Sequence, residues 1–203
     1  MGRDGDVDES KRATLRRFAA LGAASPLVRL SENDGGSGSD ARDAIAGYLS
    51  TTPGAHFSKI RDDLQLGTGE TQHHLRELVE NGVIESEKDG DYRRFFHADQ
   101  FSEYEKVTLG YLRRDTTRGM LVALLRAPTT TAGDLADHLG VSRPTVSKYA
   151  AELESAGLLS REDGYAVDAP ETVLTLVVRY ADSFDTDAAA LASEAADLLA
   201  YDP

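Results

Sequence analysis

The chain of 203 residues has no cysteine, which removes disulfides, thiolate metal sites, a cysteine nucleophile and a thiol redox switch together. It also lacks any run near the roughly 18–20 uninterrupted apolar residues that a membrane span requires. With 40% hydrophobic residues it is expected to be soluble and to bury real cores. Positive charge is scarce: 22 Lys and Arg stand against 35 Asp and Glu, for a net charge of −13. Lysine occurs only at Lys11, Lys59, Lys88, Lys106 and Lys148, so arginine carries most of the cationic charge. Taken alone, this balance argues against duplex DNA, whose phosphates repel an acidic surface. It equally suits a protein dissolved in molar salt, where a Debye length of roughly 3 Å at about 1 M screens such repulsion. A halophilic cytoplasm reconciles the two, leaving short-range contacts to decide binding.

Catalytic signatures are missing as well. No nucleophile–base pair, phosphate loop or metal motif is legible, and Gly67-Thr68-Gly69 is too short for a nucleotide loop. No enzyme activity and no cofactor are therefore expected. Of the five histidines, His73 and His74 are neighbours that diverge by about 100° on a helix, unlike an i, i+4 chelating pair. His56, His97 and His138 show no ligand spacing, and no metal site is expected.

What is present is a repeat. Leu64–Ile84 aligns without gaps on Leu139–Leu159 at an offset of 75 positions, and the same offset brings Pro53 onto Pro128, Ile60 onto Leu135, Asp62 onto Asp137 and Gly82 onto Gly157. A constant offset that also matches the flanking turns points to two copies of one unit. Each copy begins with a helix running up to a proline, Ala41–Thr51 before Pro53 and Thr117–Arg126 before Pro128. A short helix follows, over Phe57–Leu64 and Gly133–Leu139. A turn then leads to a helix opened by a hydroxyl cap, Thr68 in one copy and Ser142 in the other, and closed by Gly82 or Gly157 in a left-handed cap. Pro144 falls in the first turn of its helix, where a missing N–H costs nothing. Hairpins come last: Ile84–Lys88 with Tyr92–Phe96 around Asp89-Gly90, and Leu158–Glu162 with Tyr165–Val167 around Asp163-Gly164.

Three helices and a hairpin form a winged helix-turn-helix. The expected fold is mainly α with small β-hairpin wings, in two tandem units with terminal helices. The boundaries read as an N-terminal helix and linker over 1–39, a first unit over 40–98, a connecting helix over 99–115, a second unit over 116–168 and C-terminal helices over 169–203. The N-terminal segment, with Arg16-Arg17 before Phe18-Ala19-Ala20-Leu21, reads either as a twin-arginine export signal or as a helix packed on the body. Its short apolar stretch, broken by Pro26 and closed by Arg29, favours the helix. Ser31–Asp40 is a flexible linker by composition. Val173, Leu174, Leu176, Val177 and Tyr180, with Leu191, Ala195, Leu198 and Leu199, give two apolar helices that either join a homodimer or complete the second unit's core.

Pro53-Gly-Ala-His-Phe-Ser-Lys-Ile60, Gly67-Thr-Gly-Glu-Thr-Gln-His-His-Leu75 and Gly90-Asp-Tyr-Arg-Arg-Phe-Phe96 resemble archaeal winged-helix regulators related to the MarR and ArsR groups. Leu139–Lys148 resembles the helix-turn-helix core of bacterial and archaeal repressors. Across residues 40–168 the chain is similar to two-winged regulators of salt-loving archaea. The resemblance implies a cytoplasmic, sequence-specific transcription regulator whose partners are double-stranded DNA, a second copy of the chain and the transcription machinery. One departure is His73, where relatives often carry an aromatic.

A helix entering the major groove needs one apolar face for its own core and one polar face for base edges. On the first copy Thr71, Leu75 and Leu78 face inward with His74 alongside, leaving Thr68, Gln72, His73 and Arg76 outward. On the second, Val146, Ala150 and Leu153 face inward, leaving Ser142, Arg143, Thr145, Ser147 and Lys148. The first wing adds Lys88 near its tip and Arg93-Arg94, which strand alternation sends to opposite faces, so that at least one can reach a phosphate or the minor groove. Phe95 and Phe96 read as packing residues. The second wing has only Arg161 beside Glu162 and Asp163, so the first unit should do more of the reading. The competing expectation is a protein-docking scaffold of the kind that partners chromosome-condensing complexes, which would not need the polar surface of the first unit.

Overall fold

The computed structural model describes residues 4–22 and 37–198, so most of the expected linker, and Leu199, lie outside the described residues. The chain divides into two compact units, Met1–Ser102 and Glu103–Pro203.

The first unit contains α1 (Asp4–Gly22), α2 (Ser37–Thr51), β1 (Ala55–His56), α3 (Phe57–Asp63), α4 (Thr68–Glu80), β2 (Ile84–Asp89) and β3 (Tyr92–His97). Its core follows from helical spacing: Ala41, Ala44, Ile45, Tyr48 and Leu49 line one side of α2 and meet Ile60, Leu64, Leu75, Leu78, Ile84 and Phe95, all buried. The N-terminal segment forms a helix whose Leu15 and Phe18 pack on this core, with the Phe18 ring edge-on to Tyr48 at 5.3 Å. Arg16 and Arg17 are exposed on that helix.

The sheet has one strand more than expected, in the order β1-β3-β2, with Ala55 opposite Phe95 and His56 opposite Arg94. Two residues leading straight into a helix carry no alternation, so β1 has no period to read. Asp89 pairs with Tyr92, which puts Gly90-Asp91 in the hairpin turn, one residue later than expected. Gly90 takes the positive φ (+60°) that this tight connection demands.

The second unit contains α5 (Glu103–Leu112), α6 (Asp115–Arg126), α7 (Ala132–Leu139), α8 (Arg143–Ser155), β4 (Leu159–Ser160), β5 (Ala166–Val167), α9 (Pro170–Arg179), a 3-10 turn at Ala181–Ser183 and α10 (Thr186–Leu198). The helix expected as a connector is α5, and it is built into this unit: Leu109 and Leu112 are buried, and the Tyr104 hydroxyl donates to the Asp168 carbonyl at 2.7 Å. Val173, Leu174, Leu176 and Val177 of α9 and Ala188, Leu191 and Ala195 of α10 are buried within the protomer. Their apolar faces complete the second unit's core. Arg118 joins three of these segments, donating to the Leu112 carbonyl at 2.9 Å and to the carboxylates of Asp115 and Asp185, each at 2.8 Å.

The second hairpin is much shorter than expected, pairing only Leu159 with Val167 and Ser160 with Ala166. Arg161 leaves the strand direction and folds back onto Glu154, with Nε 2.8 Å from the carboxylate. An ion pair thus takes the place of further ladder.

Candidate nucleic-acid interface

The third helix of each copy is set by the same local geometry. α4 and α8 end in matching caps, in which Val83 N–H donates to the Leu78 carbonyl at 3.0 Å and Leu158 N–H to the Leu153 carbonyl at 2.9 Å. Gly82 (φ +67°) and Gly157 (φ +69°) supply the left-handed residue that this closure requires. At the other end the copies differ. Ser142 caps α8 as expected, its hydroxyl accepting from Thr145 N–H at 3.3 Å. In the first copy the cap is Gly67 and not Thr68, and the Glu70 carboxylate accepts from Gly67 N–H at 3.1 Å. Thr68 is thereby released to the exposed first turn of α4.

On α4, Thr71, His74, Leu75 and Leu78 are buried, while Thr68, Gln72, His73 and Arg76 are exposed. Gln72 and Arg76 open onto a groove of about 410 Å³ whose other wall is the wing, with Ser86, Arg93 and Phe95. Arg93 is held in position by a 3.1 Å hydrogen bond from Nη1 to the Ser86 hydroxyl. Helix α4 and strand β3 therefore present Gln72, Arg76 and Arg93 to one opening. Lys88 is exposed on the opposing strand, in register with Arg93. Arg76 and Lys88 have no ion-pair partner among the described residues.

Several carboxylates beside this surface are already engaged. Glu70 takes Lys11 at 3.3 Å, Glu77 takes Arg42 at 3.4 Å and Asp89 takes Arg94. Such pairing leaves less negative charge to oppose an incoming anion than the net charge suggests. Glu80, on the groove wall, is the acidic exception.

Arg94 must be removed from the DNA-contacting candidates. It is 3% exposed, its Nε bonds the Asp89 carboxylate, and its Nη1 donates to the Gly54 carbonyl at 3.0 Å. Alternation sends the two adjacent arginines to opposite faces of the sheet, and Arg94 lies on the face where Asp89 and the Gly54 carbonyl receive it. Phe95 and Phe96 are both buried, as packing residues should be.

Among the second-copy candidates, Ser142, Arg143, Ser147 and Lys148 are exposed and Thr145 is half-buried. The Ser142 and Thr145 hydroxyls are 2.8 Å apart and serve the cap. Lys148 lies 3.8 Å from Glu152 and over the Tyr149 ring at 5.2 Å. Arg143 crosses the start of α7 so closely that a Cβ on Gly133 would lie 3.1 Å from its Nη2. With Arg161 paired to Glu154, the cations of this copy are more encumbered than those of the first.

Two features escaped sequence reasoning. Ser86, which anchors Arg93, could have been found by pairing the strands, because the hairpin register places it two residues along, on the same face, from Lys88, which is opposite Arg93. The second concerns the adjacent histidines. One ligand atom each of His73, His74 and Glu77 lies within 4.8 Å of the others, so the divergence expected of neighbouring residues does not keep the rings apart.

Residues 39–109 match the HTH_HVO_0163 N-terminal HTH domain, and residues 109–165 match the MarR family. Two successive stretches of the chain are thus similar to helix-turn-helix domains, the second of them to the MarR family. It is 28% identical over 126 residues to an HTH-type transcriptional regulator, MJ1398, of Methanocaldococcus jannaschii; the match covers 62% of this chain and 32% of that protein. The chain thus spans about a third of the length of this relative. No solved structure matches it. Among the described residues no helix is long and apolar enough to cross a membrane.

Proposed function

We propose that the chain is a cytoplasmic transcription regulator that reads double-stranded DNA chiefly through its first unit. In this reading α4 enters the major groove, Gln72 and Arg76 meet base edges, and Arg93 and Lys88 on the wing hold the phosphate backbone. The supporting observation is the convergence of exposed Gln72, Arg76 and Arg93 on one opening between helix and wing. Arginine and glutamine are the side chains able to grip guanine or adenine edges with two hydrogen bonds. The second unit contributes Arg143, Ser147 and Lys148 as weaker contacts. The relative's description as a transcriptional regulator agrees with this assignment.

The test is selection of bound duplexes from a random pool by the full chain, at fixed high salt, followed by affinity measurements on the enriched sequence. Gln72→Ala and Arg76→Ala should each weaken that duplex by about 5- to 150-fold, the equivalent of about 1–3 kcal/mol per base-reading pair. A pool that never converges, or variants that bind as tightly as the parent, would refute specific reading and return the protein to a docking role.

A further inference from the structure

We propose that His73, His74 and Glu77 form a binding site for a borderline divalent transition-metal ion such as Zn²⁺, on the flank of α4. Successive helical residues are about 100° apart in projection, so residue 77 falls between 73 and 74 and one turn further along. The Glu77 carboxylate accordingly sits between the two rings, with Oε2 4.0 Å from His73 Nε2 and 3.6 Å from His74 Nδ1. The rings are themselves 5.1 Å apart, centroid to centroid.

Three observations separate this cluster from a chance grouping on a helix surface. His74 is 8% exposed, and its Nδ1 is buried with no hydrogen-bond partner among the described residues. A buried polar atom in that state costs free energy until something satisfies it. Second, the carboxylate is oriented from behind: Arg42 Nη1 donates to Glu77 Oε1 at 3.4 Å, leaving Oε2 for the rings. Metal-ligating carboxylates are characteristically held by such an outer hydrogen bond. Third, the donor set is two imidazoles and one carboxylate, which suits Zn²⁺ and its neighbours in the first transition row and leaves a coordination position for water.

Bond lengths of about 2.0–2.2 Å require ligand atoms roughly 3.3–3.6 Å apart in a tetrahedral site. The present separations must therefore close by about 1.5 Å at most. His73, with its side chain 71% exposed, has the freedom to make that adjustment. His73 also stands beside Gln72, so binding an ion would draw its ring along the helix toward Glu77 and place positive charge next to the proposed reading face. That consequence rests on the DNA reading; the metal site itself does not.

The experiment is titration of chelator-treated, full-length protein with Zn²⁺ against a competing chromophoric chelator, without DNA. Co²⁺ serves as a second probe, through its visible absorption in a site of low coordination number. The expected result is one equivalent bound with micromolar or tighter affinity. His73→Ala and Glu77→Gln should each weaken binding by about 10-fold or more, as loss of even an outer-sphere group does. His138→Ala, which alters an exposed histidine of the other unit, should bind like the parent. Since Glu77→Gln removes charge with little change of shape, and His73 is exposed, both variants should keep the parental melting temperature. No saturable binding, or binding that survives both substitutions, would overturn the proposal whether or not the protein binds DNA.

Discussion

Adjacent arginines on β3 should have opposite phenotypes. Arg94 is 3% exposed and ties Asp89 on β2 to the Gly54 carbonyl ahead of β1. Arg94→Leu keeps most of the volume but takes this cation from the Asp89 carboxylate, 21% exposed, and this donor from the Gly54 carbonyl. Breaking a fully buried pair costs about 3–5 kcal/mol, and partial exposure of the acid brings the expectation to about 2–3 kcal/mol. For a unit of about 100 residues this lowers the melting temperature by roughly 10 °C or more. Arg93 makes only an exposed hydrogen bond to Ser86, so Arg93→Gln should shift stability by no more than about 0.5 kcal/mol. Its effect should instead appear on DNA. Loss of one phosphate contact reduces the slope of log K against log salt by about 0.9. Calorimetry on both variants, with duplex titrations at several salt concentrations for Arg93→Gln, measures both effects. An Arg94→Leu protein that melts like the parent, or an Arg93→Gln protein with an unaltered salt slope, would refute the assignment of one arginine to the fold and the other to the nucleic acid.

Three further outcomes are expected. Gln65 and Gly140 hold equivalent places in the two helix-turn-helix turns, both left-handed (φ +55° and +64°); Gln65→Gly should stabilise the first unit and Gly140→Ala destabilise the second, each by about 1 kcal/mol in denaturant melts. Nothing within 4 Å would meet a Cβ on Gly140, so a much larger loss would contradict a purely conformational cost. Burial, and then the nearby Arg94 and Lys59, hold the His56 pKa below its ordinary 6.5. The unfolded chain therefore takes up that proton first, and stability from this group is complete above about pH 6.5 and falls as pH drops toward the lower folded value. His56→Asn, which preserves a helix-capping acceptor, should flatten the decline in melting temperature between pH 7 and 5; an identical pH profile would remove His56 as its source. Finally, deleting residues 170–203 should abolish the cooperative unfolding of the second unit, because α9 and α10 bury its core. A truncated protein that keeps that transition and merely halves its mass in light scattering would instead make those helices a dimer interface.

Local interactions made much of this molecule legible in the sequence. The hydroxyl cap at Ser142, the left-handed glycines at 82 and 157 and the 3.6-residue period of α4 and α8 all act over a few residues, so they are readable without the fold. The inward set Thr71, Leu75 and Leu78 and the outward set Gln72, His73 and Arg76 follow from that period alone. Where two local solutions were equally good, the chain by itself was silent. Alternation required Arg93 and Arg94 to part, but only the tertiary contacts with Asp89 and the Gly54 carbonyl show that Arg94 is the buried one. Composition made α9 and α10 apolar, but only packing against the rest of the second unit determined what covers them. Neighbouring histidines diverge on any helix, yet Glu77 one turn later, steadied by Arg42 from another helix, brings their ring nitrogens toward a common point. The sequence specified helices, turns and faces because those depend on neighbours along the chain. Partners across strands and between helices depend on which surfaces meet, and the tertiary structure alone decides that.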